Sequence, residues 1–262
     1  MGTVKNSNDW NPQLYLKYKD ERTQPSIDLV KRIKIDAPGK IIDIGCGSGN
    51  STQILCRRWP ESRVTGLDNS PAMIDKAKSD FPDQEWILSD TSCIDSKNKY
   101  DIVFSNAAIQ WIPDHEELVT RLFSSVENNG ALAVQVPVFT DMPLGKSINK
   151  IADKPEWIRY TAGCNELFTY HDYGFYYDIL AEQSSLLDIW ITHYIHILDS
   201  QESILEWIRS TGLKPYLERL ENNELKNKFA EEILSEIKKD YPLQKNGKVL
   251  FPFKRLFFIA YK

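Results

Sequence analysis

Residues 41–50 read IIDIGCGSGN, a short apolar run that passes directly into three glycines within five positions. Gly45, Gly47 and Gly49 add no side-chain packing, and they weaken any helix or strand that contains them. Glycines in such a row are useful where the backbone bends sharply or where another group approaches it closely. The stretch therefore predicts a buried strand that ends in a ligand-binding turn.

The regions on both sides of this turn alternate between apolar runs and helical patterns. Helices are expected from near Asn50, from Pro71 after the N-cap residue Ser70, and over 114–126. This alternation is typical of an α/β fold with a mostly parallel sheet covered on both faces. A helical stretch of roughly fifty residues separates the last two strands, far longer than an ordinary connection, and indicates a cap. The strands are expected at 40–44, 63–68, 85–90, 100–106, 130–137, 186–198 and 248–261.

The composition of the chain excludes several classes of protein. Its 262 residues are 42% hydrophobic and 26% charged, the balance of a soluble globular protein. The sequence shows neither an apolar run long enough to span a membrane nor a signal core, so we expect a cytoplasmic protein without a membrane partner. A net charge of −5 argues against nucleic-acid binding. The four cysteines form no CxxC pair, so we expect no metal site.

Acidic residues are expected at the ends of the first three strands. Asp43 opens the pattern D-x-G-x-G-x-G, Asp68 ends the second strand and Asp90 ends the third. A nicotinamide dinucleotide enzyme would want glycine at Asn50, and clustered carboxylates would repel a pyrophosphate. The acids suit a nucleoside that carries a sulfonium and an amino group. Two alternatives stay open: Asp43 only caps the turn, and Asp90 only caps the segment that follows it.

The segments DIGCGSG, GLDNSPAMI, LSD and SNAAIQW resemble the class I S-adenosylmethionine-dependent methyltransferases. The segments NDWNPQLYLKYKDERTQP, NAAIQWIPDHEEL, YYDIL, STGLKPYL and YPLQKNGKVLFPFKRLFFIA extend the match and resemble the trans-aconitate 2-methyltransferase family within that class. The resemblance implies a Rossmann-like, seven-stranded sheet with a helical cap insertion. In this interpretation the N-terminal lid is 1–30, the cofactor-binding core is 31–137 and 186–262, and the cap or substrate-binding elements are 138–185 and 199–247.

The resemblance also implies which residues bind S-adenosylmethionine. In this class the glycine turn faces the methionyl group, the second-strand acid takes the ribose hydroxyls, and the third-strand acid contacts the adenine. The end of the fourth strand faces the methyl-transfer site. The cofactor-binding residues so implied are Asp43, Gly45, Gly47, Gly49, Asp68, Met73, Asp90, Thr91, Asn106, Trp111 and Tyr15.

The activity implied by the resemblance is carboxyl O-methylation of trans-aconitate or a close small tricarboxylate. A carboxylate is an anionic nucleophile at neutral pH, so direct in-line displacement needs no general base and we expect no catalytic residue. A surface cation or local ion pair remains the alternative for each basic residue, and Lys214 stands where the family is expected to carry arginine. The substrate-binding residues so implied are Trp10, Arg22, Gln110, Tyr176, Trp207, Lys214 and Arg255.

Other functions stay open at this point. The acceptor could be another carboxylic acid or an acyl group on a carrier protein. The chain could also be a non-catalytic S-adenosylmethionine-binding module. A nicotinamide dehydrogenase ranks last because the third glycine of its motif is missing. The oligomeric state, a monomer included, and the carboxyl group that is methylated are left open.

Overall fold

The computed structural model describes residues 19–91, 94, 98–139 and 141–262, with only the backbone of Lys19–Arg22. The chain divides into two compact units. The first comprises Met1–Val136, His171–Trp190 and Leu256–Lys262, and the second comprises Pro137–Tyr170 and Ile191–Arg255. No helix in the described residues has both the length and the apolar character needed to cross a membrane.

The described strands form a seven-stranded sheet in the order β3-β2-β1-β4-β5-β7-β6. Strand β1 pairs in parallel with β2 and β4, while β2 pairs in parallel with β3 and β4 with β5. The bounds are β1 Lys40–Ile44, β2 Arg63–Asp68, β3 Glu85–Leu88, β4 Tyr100–Asn106, β5 Val126–Pro137, β6 Leu186–Leu198 and β7 Val249–Tyr261. The predicted α/β fold class is therefore confirmed.

Two strand bounds differ by two or more residues from those expected, and β7 begins one residue late. Strand β3 ends at Leu88, two residues early. Strand β5 begins at Val126, four residues early, because its polar start still pairs with the end of the chain. The amide of Asn129 donates to the carbonyl of Lys262 at 3.2 Å, although Asn129 has a positive φ of 64°. A polar, turn-like sequence therefore concealed the first residues of this strand.

Two helices begin at the residues that the sequence indicated: the one after the glycine turn at Asn50 and the one after β2 at Pro71. The hydroxyl of Ser70 accepts from the amide of Met73 at 3.2 Å, and Pro71 occupies the first helical position. The helices are α1 Lys19–Arg32, α2 Asn50–Arg58, α3 Pro71–Asp80, α4 His115–Ser124, α5 Pro143–Ala152, α6 Ile158–Thr161, α7 Tyr173–Leu180, α8 Gln201–Arg209, α9 Lys214–Glu218 and α10 Asn223–Asp240.

The second unit is built around α10. Its apolar stripe, with Phe229, Ile233 and Ile237 fully buried, is a packing face, and α10 lies against α5 and α8. Its charged face pairs with neighbours, as in the contact of Lys150 with Glu236 at 2.8 Å. Residues 171–185, which we expected in the cap, belong to the first unit, whereas 137–170 belong to the second. The lid and cap roles themselves stay predictions.

Candidate functional site

The turn between β1 and α2 needs glycine at two positions for reasons of space. Gly45, Gly47 and Gly49 all have positive φ angles, of 69°, 55° and 89°. A Cβ on Gly45 would lie 2.2 Å from the Cβ of Ala108, and one on Gly49 would lie 2.5 Å from the ring of Trp86. A Cβ on Gly47 would meet no described atom within 4 Å. The backbone at Gly47 therefore faces open space.

Asp68 fixes this turn from the end of β2. Its Oδ2 accepts from the amide of Gly47 at 2.8 Å, and its Oδ1 accepts from the amide of Ser70 at 2.9 Å. The side chain is half-buried, so part of the carboxylate stays accessible to a ligand. The predicted acid thus lies beside the predicted turn and holds its backbone in place.

Asp43 lies beneath the turn and has no exposed surface. Its Oδ2 accepts from the hydroxyls of Ser51 and Thr52, at 2.6 Å and 2.7 Å, at the start of α2. Burial raises the pKa of Asp43 to about 6, against the opposing effect of these two hydrogen bonds, and the charge of Asp68 adds to the rise. Among the described atoms, Oδ1 has no hydrogen-bond partner. These bonds favour the alternative, that Asp43 anchors the turn, and its cofactor-binding role stays a prediction.

A pocket opens at the carboxyl ends of β1 and β4, the edge where open α/β sheets bind ligands. It has an empty volume of about 470 Å³, including its open mouth. The pocket joins Gly45, Gly47 and Asn106, as the sequence predicted. Its lining residues are Thr23 and Ser26 of α1, Gly45, Cys46, Gly47 and Ser48 of the turn, Asn50 and Ser51 of α2, and Asn106 and Ala107 after β4.

Five polar lining residues were missed by the sequence reasoning: Thr23, Ser26, Ser48, Asn50 and Ser51. Ser48 and Asn50 directly follow glycines and Ser51 comes next in the chain, and these positions were an available signal. The sequence signal for Thr23 and Ser26 was weaker: they lie on the segment that carries Arg22. Their place at the pocket depends on how α1 packs, which no local pattern encodes.

The chain after β4 presents two buried acceptors. The side-chain oxygens Oδ1 of Asn106 and Oε1 of Gln110 have no partner among the described atoms. The other end of Gln110 is occupied, since its Nε2 donates to the carbonyl of Ala107 at 2.7 Å. Buried polar atoms are normally hydrogen-bonded, so an orphaned pair suits a ligand that brings donors.

The remaining predicted cofactor residues lie outside the pocket lining. Met73 is buried in the first turn of α3, and Thr91 is buried just beyond β3, next to the exposed Asp90. Trp111 is half-buried in a single 3₁₀ turn over Ile109–Trp111. Tyr15 lies outside the described residues. No contact in the structure assigns these residues to a ligand, so their roles stay predictions.

Tyr176 was expected to bind the acceptor; its side chain has no exposed surface in this structure, and that role stays a prediction. Its hydroxyl donates to Nδ1 of His115 at 2.7 Å, and Nε2 of His115 donates to the carbonyl of Ile109 at 2.9 Å. Burial lowers the pKa of His115, and nearby His171 adds to the effect. The sequence reasoning missed His115.

In the second unit, the buried Arg255, Trp207, His196 and Phe253 lie together with the half-buried Tyr194 in what is called here the cation–aromatic cluster. Arg255 is 4% exposed, with its guanidinium carbon 4.6 Å from the ring centre of Phe253 and 5.9 Å from that of Tyr194. The ring of His196 lies 4.7 Å from that of Trp207.

Electrostatics make this cluster receptive to an anion. Burial lowers the pKa of His196 to about 4, and the charge of Arg255 adds to the effect. Nε2 of His196 is buried and has no hydrogen-bond partner among the described atoms. A guanidinium can bind a carboxylate through two parallel N–H groups, so this cluster is a candidate carboxylate site.

The other predicted acceptor residues have less support. Lys214 forms an ion pair with Glu218 at 3.6 Å along α9, in agreement with the surface alternative. Trp10 and the side chain of Arg22 lie outside the described residues.

Comparison with known proteins gives consistent matches. Residues 41–130 match the family described as a methyltransferase domain. The trans-aconitate 2-methyltransferase of Enterobacter sp. (strain 638) is 40% identical over 252 residues, which cover 96% of this chain and 98% of the relative. The protein of the same name from Variovorax paradoxus (strain S110) is 37% identical over 256 residues, covering 97% and 98%. A crystal structure of coclaurine N-methyltransferase bound to N-methylheliamine and SAH aligns with a TM-score of 0.55 at 17% identity, covering 93% of this chain and 73% of that one.

Proposed function

The chain belongs to the trans-aconitate 2-methyltransferase family, and we propose that it esterifies one carboxylate of trans-aconitate with the methyl group of S-adenosylmethionine. One observation supports the cofactor-binding part of this proposal: the backbone at Gly47 faces open space, in a turn that Asp68 holds by a hydrogen bond. There a ligand can lie against bare backbone while its ribose hydroxyls reach the carboxylate of Asp68.

The charge of the pocket supports a cationic ligand. No described residue that lines it is a lysine or arginine. Asp43 lies beneath the turn and Asp68 beside it, and Asn106 offers an unpaired oxygen. These groups favour the sulfonium and ammonium of S-adenosylmethionine over a pyrophosphate. Met73, Asp90 and Thr91 are assigned in this proposal to the adenine end.

When bound, S-adenosylmethionine supplies a methyl group on a positively charged sulfur. The acceptor oxygen is already anionic at neutral pH, so the protein need not remove a proton. What remains for the side chains is to orient the acceptor and exclude water. Thr23 and Ser26 of α1 already line the pocket, which supports the assignment of 1–30 as a lid.

Recognition of the acceptor is assigned to the cation–aromatic cluster. Arg255 can bind a carboxylate through two parallel N–H groups, and the neutral ring of His196 can add one donor. The aromatic rings lower the local dielectric and strengthen both interactions. A tricarboxylate needs such cations because its other carboxylates must be neutralised while one reacts.

The decisive experiment incubates the purified protein with methyl-labelled S-adenosylmethionine and a panel of acids: trans-aconitate, cis-aconitate, tricarballylate and succinate. We expect a base-labile methyl ester, identified by mass spectrometry, with trans-aconitate giving the highest kcat/KM. Preferred labelling of a different acid would change the acceptor but keep the chemistry. Label in none of the acids would refute the proposed function.

A further inference from the structure

The chain between β4 and α4 is held in an unfavourable backbone conformation. Ala107 and Asp114 both have φ angles of 54°, in the left-handed region that favours glycine. Such conformations persist only where the surrounding structure enforces them. The segment between them contains Ile109–Trp111, called here the acceptor turn, and it begins beside Asn106 and Ala107 of the pocket.

Two hydrogen bonds fix the start of this segment. The amide of Ala107 donates to the carbonyl of Gln135 at 2.9 Å, and Nε2 of Gln110 donates to the carbonyl of Ala107 at 2.7 Å. The first residue of the acceptor turn is held as well, since Nε2 of His115 donates to the carbonyl of Ile109 at 2.9 Å.

The orientation of His115 is fixed by a hydrogen bond from Tyr176. Donation from Nε2 requires Nδ1 to be the unprotonated acceptor, and Nδ1 receives the hydroxyl of Tyr176 at 2.7 Å. Tyr176 is fully buried, and its ring stacks on Phe258 of β7 with centres 4.8 Å apart. The hydroxyl therefore has a position set by the sheet, and it selects both the tautomer and the orientation of the imidazole.

We infer that Tyr176 and His115 are positioning residues for methyl transfer: through the carbonyl of Ile109 they hold the acceptor turn, and with it Gln110 and Trp111, in the reactive arrangement. The inference rests on the proposed function, because the acceptor turn matters for catalysis only if transfer occurs beside it. Neither residue touches the reacting atoms. Loss of the pair should therefore lower kcat through misalignment while cofactor binding at Gly47 and Asp68 persists.

The test compares Tyr176→Phe with Tyr261→Phe. Both substitutions remove one hydroxyl that bonds a partner within the first unit, since the hydroxyl of Tyr261 accepts from the amide of Lys34 at 2.9 Å. Tyr176→Phe should lower kcat about tenfold with little change in the affinity for S-adenosylhomocysteine, and Tyr261→Phe should leave kcat unchanged. The melting temperatures of the two variants should be similar.

Substitutions of His115 separate its two bonds. Gln at 115 can still donate to the carbonyl of Ile109, whereas the shorter Asn reaches only towards Tyr176. We expect His115→Gln to retain several times the kcat of His115→Asn, because only Gln holds the turn directly. Similar kcat values for the two variants would show that the bond to the Ile109 carbonyl does not contribute to kcat.

Hydrogen–deuterium exchange supplies a readout that does not depend on catalysis. Amides 107–112 should exchange faster in Tyr176→Phe than in wild type or Tyr261→Phe, while those of β1 stay protected. Unchanged exchange at 107–112, or equal losses of kcat in Tyr176→Phe and Tyr261→Phe, would overturn the inference. If the wild type methylates no acid, the proposed function fails and the exchange comparison alone decides whether the pair holds the turn.

Discussion

Oδ2 of Asp68 accepts a hydrogen bond from the amide of Gly47 at 2.8 Å, which ties the end of β2 to the turn after β1. The acid that is assigned to the ribose is therefore also the brace of the turn that faces the methionyl group. Asp68 thus holds the shape of the turn and is also the residue assigned to the ribose.

Asp68→Asn should weaken cofactor binding strongly and destabilise the fold only modestly. An amide keeps one acceptor, but its NH₂ group would oppose either the Gly47 or the Ser70 amide. We expect the affinity for S-adenosylhomocysteine to fall about 10- to 100-fold by isothermal titration calorimetry, with the free energy of unfolding reduced by about 1–2 kcal/mol.

The matched control for Asp68 is Asp101→Asn, at the opposite end of the sheet. Asp101 also accepts two backbone amides, those of Gly39 and Lys40, at 2.7 Å and 2.8 Å. Both amides bind its single atom Oδ2, which an asparagine oxygen can replace, so this variant should lose no more stability than Asp68→Asn and keep its cofactor affinity. Equal losses of affinity in both variants would show that the effect at Asp68 is only structural.

Gly47→Ala should impair cofactor binding, whereas Gly45→Ala should impair the stability of the fold. At Gly47 the new methyl group enters open space, so the fold should survive with a backbone cost of about 1–2 kcal/mol. The methyl group would then occupy the place assigned to the cofactor. At Gly45 it would clash with Ala108 at 2.2 Å. We expect Gly47→Ala to lose cofactor affinity and Gly45→Ala to lose several degrees of melting temperature, and the reverse pattern would contradict the assignment.

Local spacing was enough to predict the strand, the glycine turn and the acid that braces it. Gly45, Gly47 and Asp68 lie at the ends of adjacent strands, and parallel strands bring such ends to one edge of the sheet. The burial of Asp43 and Tyr176 could not be predicted in this way, because burial is a property of the packed structure. Both side chains are of types that can bind ligands, yet neither has exposed surface.

The pH dependence of cofactor binding should report on Asp43. Its folded pKa, about 6, is raised above the ordinary value of 3.8, so the stability that its protonated form contributes is present below pH 3.8 and is lost as the pH rises through about 6. A cationic ligand favours the ionised form. The affinity for S-adenosylmethionine should therefore rise up to about tenfold as the pH increases from about 5 to 7.

Two controls isolate this effect. S-adenosylhomocysteine lacks the sulfonium charge, so its affinity should change less with pH. Asp43→Asn cannot ionise and should remove the dependence, while its amide oxygen can still accept from Ser51 and Thr52. An unaltered pH profile in Asp43→Asn would assign the titration to another group.

Arg255→Gln should raise the KM for the acceptor about 10- to 100-fold and change the KM for S-adenosylmethionine less than twofold, because its charge is assigned to the carboxylates alone. Arg255→Lys keeps the charge but loses the planar fork, so it should lie between Gln and the wild type. The control is Lys254→Gln, which removes the neighbouring cation of β7, one that pairs with Asp141 at 3.0 Å. Steady-state kinetics with each substrate varied would give the two KM values. Parallel rises in the two KM values for Arg255→Gln, or an equal effect from Lys254→Gln, would remove Arg255 from acceptor recognition.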